Sequence, residues 1–302
     1  VTPSLFSVAA AWIVARLCGA RLWTHVQDFE AEAACATGLI QAQGPVARLA
    51  RAFEHAVLKL SDRVSTISPQ MVARLIAIGV APSRVYELRN WTESAYAPDA
   101  REAAAYRAEW QIGARAVVLY AGSIANKQGI GIVIDAARRL EQRADIVFVI
   151  CGNGPNRARL EARAHGLANV QVHPLQPARR MGGLLALACV HVLPQIAEAA
   201  DLVLPSKLTN ILGSGRPVVA TVAPGTGVAD EIDGCGLVTA PGDAAALAAA
   251  ITALVDDPPL ADRLGRAGLV RASERWSKAR ILGALEDELV ALVPAAGPAV
   301  QP

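Results

Sequence analysis

Six short apolar runs punctuate the C-terminal two thirds of the chain: AVVLYAG (116–122), IVFVICG (146–152), NVQVHPL (169–175), VHVLPQ (190–195), PVVATV (217–222) and CGLVTA (235–240). Most are nearly continuous in hydrophobic residues, as strands buried on both faces must be. Helical stretches separate them. In 132–142, for instance, Ile134, Ala137 and the preceding Ile130 share a face, with Arg139 on the opposite one. Alternating β and α elements predict a parallel, doubly wound α/β domain. Two further helices are expected over 243–255 and 260–275. A last amphipathic helix over 277–293 carries the apolar stripe Ile281, Leu285, Leu289 and Leu292, which has to be buried somewhere.

The first hundred residues carry fewer elements. Strands are expected at 22–27 and 63–68 with a short run at 85–88, and helices at 5–17 and about 46–60. The stretch 5–17 falls short of the roughly 20 apolar residues that a membrane-spanning helix needs. It reads as a helix packed on a sheet, or as one that also dips into a membrane surface. A doubly wound domain cannot close its sheet with so few strands, so this domain reads as incomplete, with an unpaired strand edge and with Phe6, Trp12 and Ile13 unusually exposed. Pro98 and the polar residues around it place a linker at 90–104. The expected division is 1–100, 101–276, and a final helix and tail at 277–302.

Composition narrows the function classes. Of 302 residues, 53% are hydrophobic and 19% charged, so the chain has enough apolar side chain to fold around buried cores. Lys and Arg number 29 against 27 Asp and Glu, and a net charge of +2 argues against nucleic acid as a partner. The five cysteines are scattered without C-x-x-C spacing, which suggests neither a disulfide framework nor structural zinc and fits a reducing cytosol.

In an open parallel sheet of strand order 3-2-1-4-5-6, ligands bind beyond the carboxyl ends of strands 1 and 4, where the order reverses. Here these are the loops 122–129 (GSIANKQG) and 197–208 (AEAADLVLPSKL). Each holds one of the chain's four lysines, Lys127 and Lys207. Together they point to a phosphate site, Lys127 flanked by glycines and Lys207 at an expected helix start after Pro205 and Ser206. Taken singly, each also fits an ordinary surface lysine. Asn210, three residues after Lys207, falls on the same helix face and could bond a ribose hydroxyl, or be a plain polar helix residue. The turn Gly152–Asn153 after the second strand would line the same crevice. In the first domain, HVQDFEAEAA (25–34) follows a strand directly. A metal site there lacks a second histidine, and an amide or carboxylate at the strand's end, Gln27 or Asp28, is the better reading.

The runs YAGSIANKQG, CGNGPNRARLE and ADLVLPSKLTNILGSGRPVVAT, with HVQDFEAEAA and FEHAVLKLSDRVSTIS ahead of them, resemble family 4 glycosyltransferases of the GT-B fold over nearly the whole chain. Within that family the QDFE, KQG and PSKLTNIL runs are similar to those of colanic acid biosynthesis fucosyltransferases of bacterial exopolysaccharide clusters. The resemblance implies two facing Rossmann-like domains, the last helix crossing back to the first, and a retaining, metal-independent hexosyltransferase that uses no cofactor. It implies a GDP- or UDP-sugar as donor, fucose among the candidates, and a lipid-linked sugar as acceptor. It further implies a cytoplasmic place, free or in peripheral contact with the inner face of the plasma membrane. Carried over by motif, Lys127, Lys207 and Asp28 take the transfer roles. Gly122, Ser123, Gln128, Gly152, Asn153, Leu175, Asp201, Pro205, Ser206, Asn210 and Gln27 take substrate contacts, with Leu175 at the base. There are departures. Ser123 stands where the family usually has arginine, Leu202 and Asn210 replace its paired glutamates, and Gln27 stands where a histidine is common. The alternatives are a non-catalytic nucleotide-sugar-binding fragment and a nucleotide-sugar epimerase of the same architecture.

Overall fold

The computed structural model describes residues 5–36, 40–91, 97–197 and 205–292. In chain order the helices and strands are α1 (Leu5–Cys18), β1 (Trp23–Val26), α2 (Glu30–Ala36), α3 (Pro45–Leu60), β2 (Arg63–Thr66), α4 (Pro69–Ala77), β3 (Val85–Glu87), α5 (Ala100–Glu109), β4 (Ala116–Ala121), α6 (Gly131–Arg139), β5 (Ile146–Cys151), α7 (Arg157–Ala164), β6 (Val170–His173), α8 (Met181–Leu187), β7 (Val190–Pro194), α9 (Lys207–Gly213), β8 (Val218–Thr221), α10 (Gly227–Ile232), β9 (Gly236–Thr239), α11 (Ala244–Asp256), α12 (Pro258–Arg275) and α13 (Lys278–Leu292). They fall into two units. One gathers 5–35, 40–91 and the final helix from 277 on; the other takes the residues from 97 to 276.

The larger unit is a six-stranded sheet, all parallel, in the order β6-β5-β4-β7-β8-β9. Numbered within the unit this is 3-2-1-4-5-6, so the order reverses between β4 and β7, and all six expected strands are present. The central strands β5, β7 and β8 are buried throughout and β4 nearly so, which is why their sequences carry no polar alternation. The edge strands β6 and β9 are only half covered. One face packs Val118, Tyr120, Phe148 and Ile150 under α6, α7, α11 and α12. The other packs Val117, Leu119, Val147 and Val149 under α5 and α8. Covering both faces is what the doubly wound pattern requires.

The smaller unit holds a parallel three-stranded sheet, β1-β2-β3. Val26, Val64 and Thr66 point to its buried face. Among the described residues, β1 pairs on one side only. On α1, Val8 and Ala15 are buried while Ile13 and Leu17 are 54% and 82% exposed. Trp12 is half-buried, and the Phe6 side chain lies outside the described residues.

Two expectations need correction. The stretch 90–104 is not all linker, because α5 begins at Ala100, with Asp99 accepting hydrogen bonds from the backbone N–H of Arg101 and Glu102. Along α13 the partly covered stripe is Ile281, Leu285, Glu288 and Leu292, while Leu289 is 45% exposed. An ion pair between Arg63 on β2 and Glu288 draws the glutamate inward in place of Leu289. Lys278, at the start of α13, lies over the Trp91 ring. No single helix among the described residues is long and apolar enough to cross a membrane.

Candidate functional site

At the reversal point the loop after β4 and the start of α9 meet. A Cβ built on Gly122 would lie 3.4 Å from the Lys207 Nζ, so the absence of a side chain leaves the ammonium directly above the turn. Lys207 donates to the Tyr120 hydroxyl at 3.1 Å, and its Nζ stands 4.2 Å from the centre of the Tyr120 ring. The same loop closes on β7 further along: a Cβ on Gly129 would come within 2.9 Å of Ile196. Gly129 takes a left-handed conformation at the end of a one-turn 3-10 segment, Asn126–Gln128.

The second glycine turn is locked against the first. Gly122 N–H donates to the Cys151 carbonyl at 2.9 Å, and Ile124 N–H to the Asn153 carbonyl at 2.8 Å. A Cβ on Gly152 would overlap the Gly122 carbonyl oxygen, so no other residue fits without moving the donor loop. From α7, the Arg157 guanidinium donates to the Gly152 carbonyl at 2.6 Å, the His173 carbonyl at 3.0 Å and Asn153 Oδ1 at 3.0 Å, tying together the ends of β5 and β6. Burial pushes the Cys151 thiol up to about 12, which keeps it protonated and excludes it as a nucleophile. His173 stacks on Trp110 at 3.9 Å between ring centres, and Leu175, just beyond it, is 57% exposed.

The structure therefore brings Gly122, Ser123, Gly152, Asn153 and Lys207 together at the carboxyl ends of β4 and β5. Pro205 and Ser206 lead into α9, and Asn210 sits half-buried one turn on, its carbonyl receiving the Ser214 N–H. Ser206 itself has helical backbone angles and makes no capping bond through its side chain. Gln128 lies in the 3-10 segment with a buried Oε1 that has no hydrogen-bond partner among the described residues. The Lys127 side chain and the whole of Asp201 and Leu202 lie outside the described residues, as does the expected meeting of the two lysine tips. A cavity of about 520 Å³ on the α6–α7 flank shares Asn126 and Gly129 with this loop. It does not reach Gly122, Gly152 or Lys207, and so neighbours the crevice rather than forming its floor.

Two residues here escaped the sequence reading. Tyr120 falls there within the strand run 116–122, and Arg157 within the run CGNGPNRARLE with no role assigned; the one available signal was that Arg157 follows the G-N-G-P turn within three residues.

In the smaller unit, Gln27 and Asp28 follow β1 at its carboxyl end, both half-buried. Gln27 Nε2 lies 2.6 Å from His25 Nε2, and His25 Nδ1 lies 2.9 Å from Ser65 Oγ. Burial lowers His25 to about 4, so the ring is neutral near pH 7. An amide nitrogen only donates, which makes His25 Nε2 the acceptor and places the proton on Nδ1, facing Ser65. Trp23 Nε1 donates to the same Ser65 oxygen at 2.7 Å. Gln27 also exchanges hydrogen bonds with Asn90 at 3.2 and 3.4 Å. His25 is thus held within a hydrogen-bond network, and no group of three or more His, Cys, Asp or Glu able to hold a metal occurs among the described residues.

Comparison with known proteins gives this geometry a family. Residues 1–91 match the glycosyl transferase 4-like domain and residues 115–257 match glycosyl transferases group 1. A relative from Escherichia coli K12, WcaI, named as a colanic acid biosynthesis glycosyl transferase, is 40% identical over 228 residues, 73% of this chain and 56% of its own length. The alpha-D-kanosaminyltransferase of Streptomyces kanamyceticus is 30% identical over 243 residues, 78% of this chain and 59% of its own. The chain thus spans a little over half the length of these relatives. Among solved structures, Anabaena HepE in complex with UDP and glucose superposes with a TM-score of 0.76 at 16% identity, covering 95% of this chain and 76% of that one. WaaG, a glycosyltransferase involved in lipopolysaccharide biosynthesis, gives 0.69 at 17%, covering 92% and 81%. At such identities the structural likeness establishes the fold alone.

Proposed function

We propose that this chain, which belongs to the GT-B glycosyltransferases, holds a nucleoside-diphosphate sugar at the carboxyl ends of β4 and β5 and serves sugar transfer in exopolysaccharide synthesis of the colanic acid kind. The observation that carries the reading is Lys207, its ammonium above Gly122 at the reversal point of the sheet, beside a second glycine turn packed so closely on the first that Gly152 admits no side chain. A fixed cation at such a turn suits a diphosphate.

Transfer breaks the bond from the sugar's anomeric carbon to the diphosphate oxygen and forms one to the acceptor oxygen. Negative charge grows on the departing diphosphate, and a positioned lysine stabilises it where it develops. Lys127, in the same loop as Gly122, is the second cation of this reading. Backbone contacts fall to Gly122, Ser123, Gly152 and Asn153, a ribose contact to Asn210, and the base edge to exposed Leu175. Gln27 and Asp28 are the acceptor-side groups. Retention at the anomeric carbon, independence of metal, fucose as the sugar and a lipid-linked acceptor complete the proposal; the likeness to WcaI favours a bacterial polysaccharide context.

Isothermal titration of the chain with UDP, GDP, UDP-glucose and GDP-fucose tests it, in buffer with and without EDTA. One nucleoside diphosphate and its sugar are expected to bind equally with and without chelator, and Lys207→Met to weaken both by tenfold or more. Failure of all four to bind at millimolar concentration overturns the reading.

A further inference from the structure

Tyr120 lies second to last in β4 with its ring fully buried, where a phenylalanine would fill the same space. Its hydroxyl is committed on both sides. It donates to the Ser123 carbonyl and accepts from Lys207 Nζ at 3.1 Å, while the ammonium stands 4.2 Å from the centre of its ring. A phenol has a single proton, so donation to Ser123 turns an oxygen lone pair toward the lysine and fixes the direction of that contact. Burial pushes the Tyr120 phenol well above its ordinary range, so it remains a donor at any working pH. The Ser123 carbonyl, whose partial negative charge would repel a phosphate, is meanwhile held inward. One hydroxyl thereby joins the turn after β4 to the start of α9, Tyr120 and Lys207 being 87 positions apart in sequence.

We propose that Tyr120 is a positioning residue of the donor site: its hydroxyl and ring face set the Lys207 ammonium over the Gly122–Ser123 turn, ready for the diphosphate. This rests on the donor-site reading above, and it adds a residue that makes no contact with substrate itself. A lysine on a flexible four-carbon stem loses side-chain entropy whenever it is fixed by a ligand. Fixing it beforehand lowers that cost at binding.

Two measurements on the whole chain test the proposal, one of which needs no ligand. With only four lysines in the sequence, selective labelling of lysine Cε gives an assignable spectrum, Lys207→Met identifying one resonance. In the wild-type protein the Lys207 Hε signal is expected upfield, shifted by the Tyr120 ring, and in Tyr120→Phe this shift should shrink as the ammonium loses its anchor. A wild-type signal at the position of exposed lysines overturns the proposal. The second measurement is a double-mutant cycle of Tyr120→Phe and Lys207→Met on the affinity for UDP and GDP. Tyr120→Phe alone is expected to weaken binding about tenfold, the effect of one hydrogen bond to a charged group. In the Lys207→Met background it should change almost nothing. Equal effects of Tyr120→Phe in both backgrounds, or affinity within twofold of wild type in the single variant, refute the tether. Wild-type protein that binds neither nucleotide refutes the donor-site reading instead, and the lysine spectrum then decides the tether on its own.

Discussion

Glu54 offers a quantitative test of the smaller unit, because a carboxyl on α3 that is 2% exposed has been placed where its charge is costly. Burial, and after it the nearby Glu32 carboxylate, raise it from an ordinary 4.5 to about 7. Backbone N–H groups of Ala31 and Glu30 oppose the shift by donating to it, so Glu54 serves as the acceptor for the first turn of α2, directly after Gln27 and Asp28. Arg74 on α4 faces the cluster but is paired with Glu32, and His55, Lys59, Arg51 and Glu30 are among its charged surroundings. A gap from 4.5 to about 7, at about 1.4 kcal/mol per tenfold change in proton affinity, amounts to about 3 kcal/mol. The sign follows from linkage. Between those two values the folded state binds the extra proton, so the native structure loses stability as the pH rises through the interval. The loss is absent below 4.5 and complete above 7. Glu54→Gln removes the charge and keeps an oxygen for the two N–H groups. Urea-dependent hydrogen exchange of α3, followed at pH 5 and pH 8, should find the variant near wild type at the lower pH and more stable by about 3 kcal/mol at the higher. A stability difference that does not change with pH would refute the assignment.

Arg157→Met should leave the Gly152 and His173 carbonyls without their shared donor, destabilising the larger unit by about 1–3 kcal/mol in urea unfolding. If the guanidinium shapes the crevice as well, nucleotide affinity measured by titration falls with it. Gly152→Ala, whose Cβ would overlap the Gly122 carbonyl, should cost at least tenfold in UDP or GDP affinity while the circular dichroism spectrum stays that of wild type; unchanged affinity would show that the two turns move independently of the site. Ser65→Ala removes the acceptor shared by Trp23 and His25, and is expected to lower stability by about 1 kcal/mol and raise the exchange rate of the β1 amides.

How far the sequence reveals this protein depends on whether a feature is local. The sheet was legible because strands such as β5 are sealed on both faces and made of apolar residues throughout, so each announces itself without reference to its neighbours. The same locality gave the reversal point, and with it the loops at Gly122 and Lys207. α5 was hidden by its composition: ten residues rich in alanine with only Ala103 and Tyr106 buried show almost no period, although Asp99 three residues before Glu102 is a capping signal. Leu289 failed for a different reason. Its place in the covered stripe is taken by Glu288, and the cause is Arg63, a strand residue 225 positions away that no helical period can register.

The site divides along the same line. Glycines at Gly122 and Gly152 are visible as turn chemistry, yet what they are for emerges only when the Gly122 carbonyl is seen to occupy the space a Gly152 side chain would need, and Lys207 to lie against Gly122. Lys207 could be singled out by rarity, since a chain with four lysines among 29 basic residues has few candidates for a compact, movable charge. The groups that aim it could not, because Tyr120 in a buried strand and a lysine at a helix start are each ordinary in isolation. Their meaning is carried by a hydrogen bond across 87 residues. Parallel topology produces such pairings necessarily: every strand end at the reversal point is separated from its spatial neighbour by at least one crossover, so the contacts that set a ligand's position are the least local in the fold.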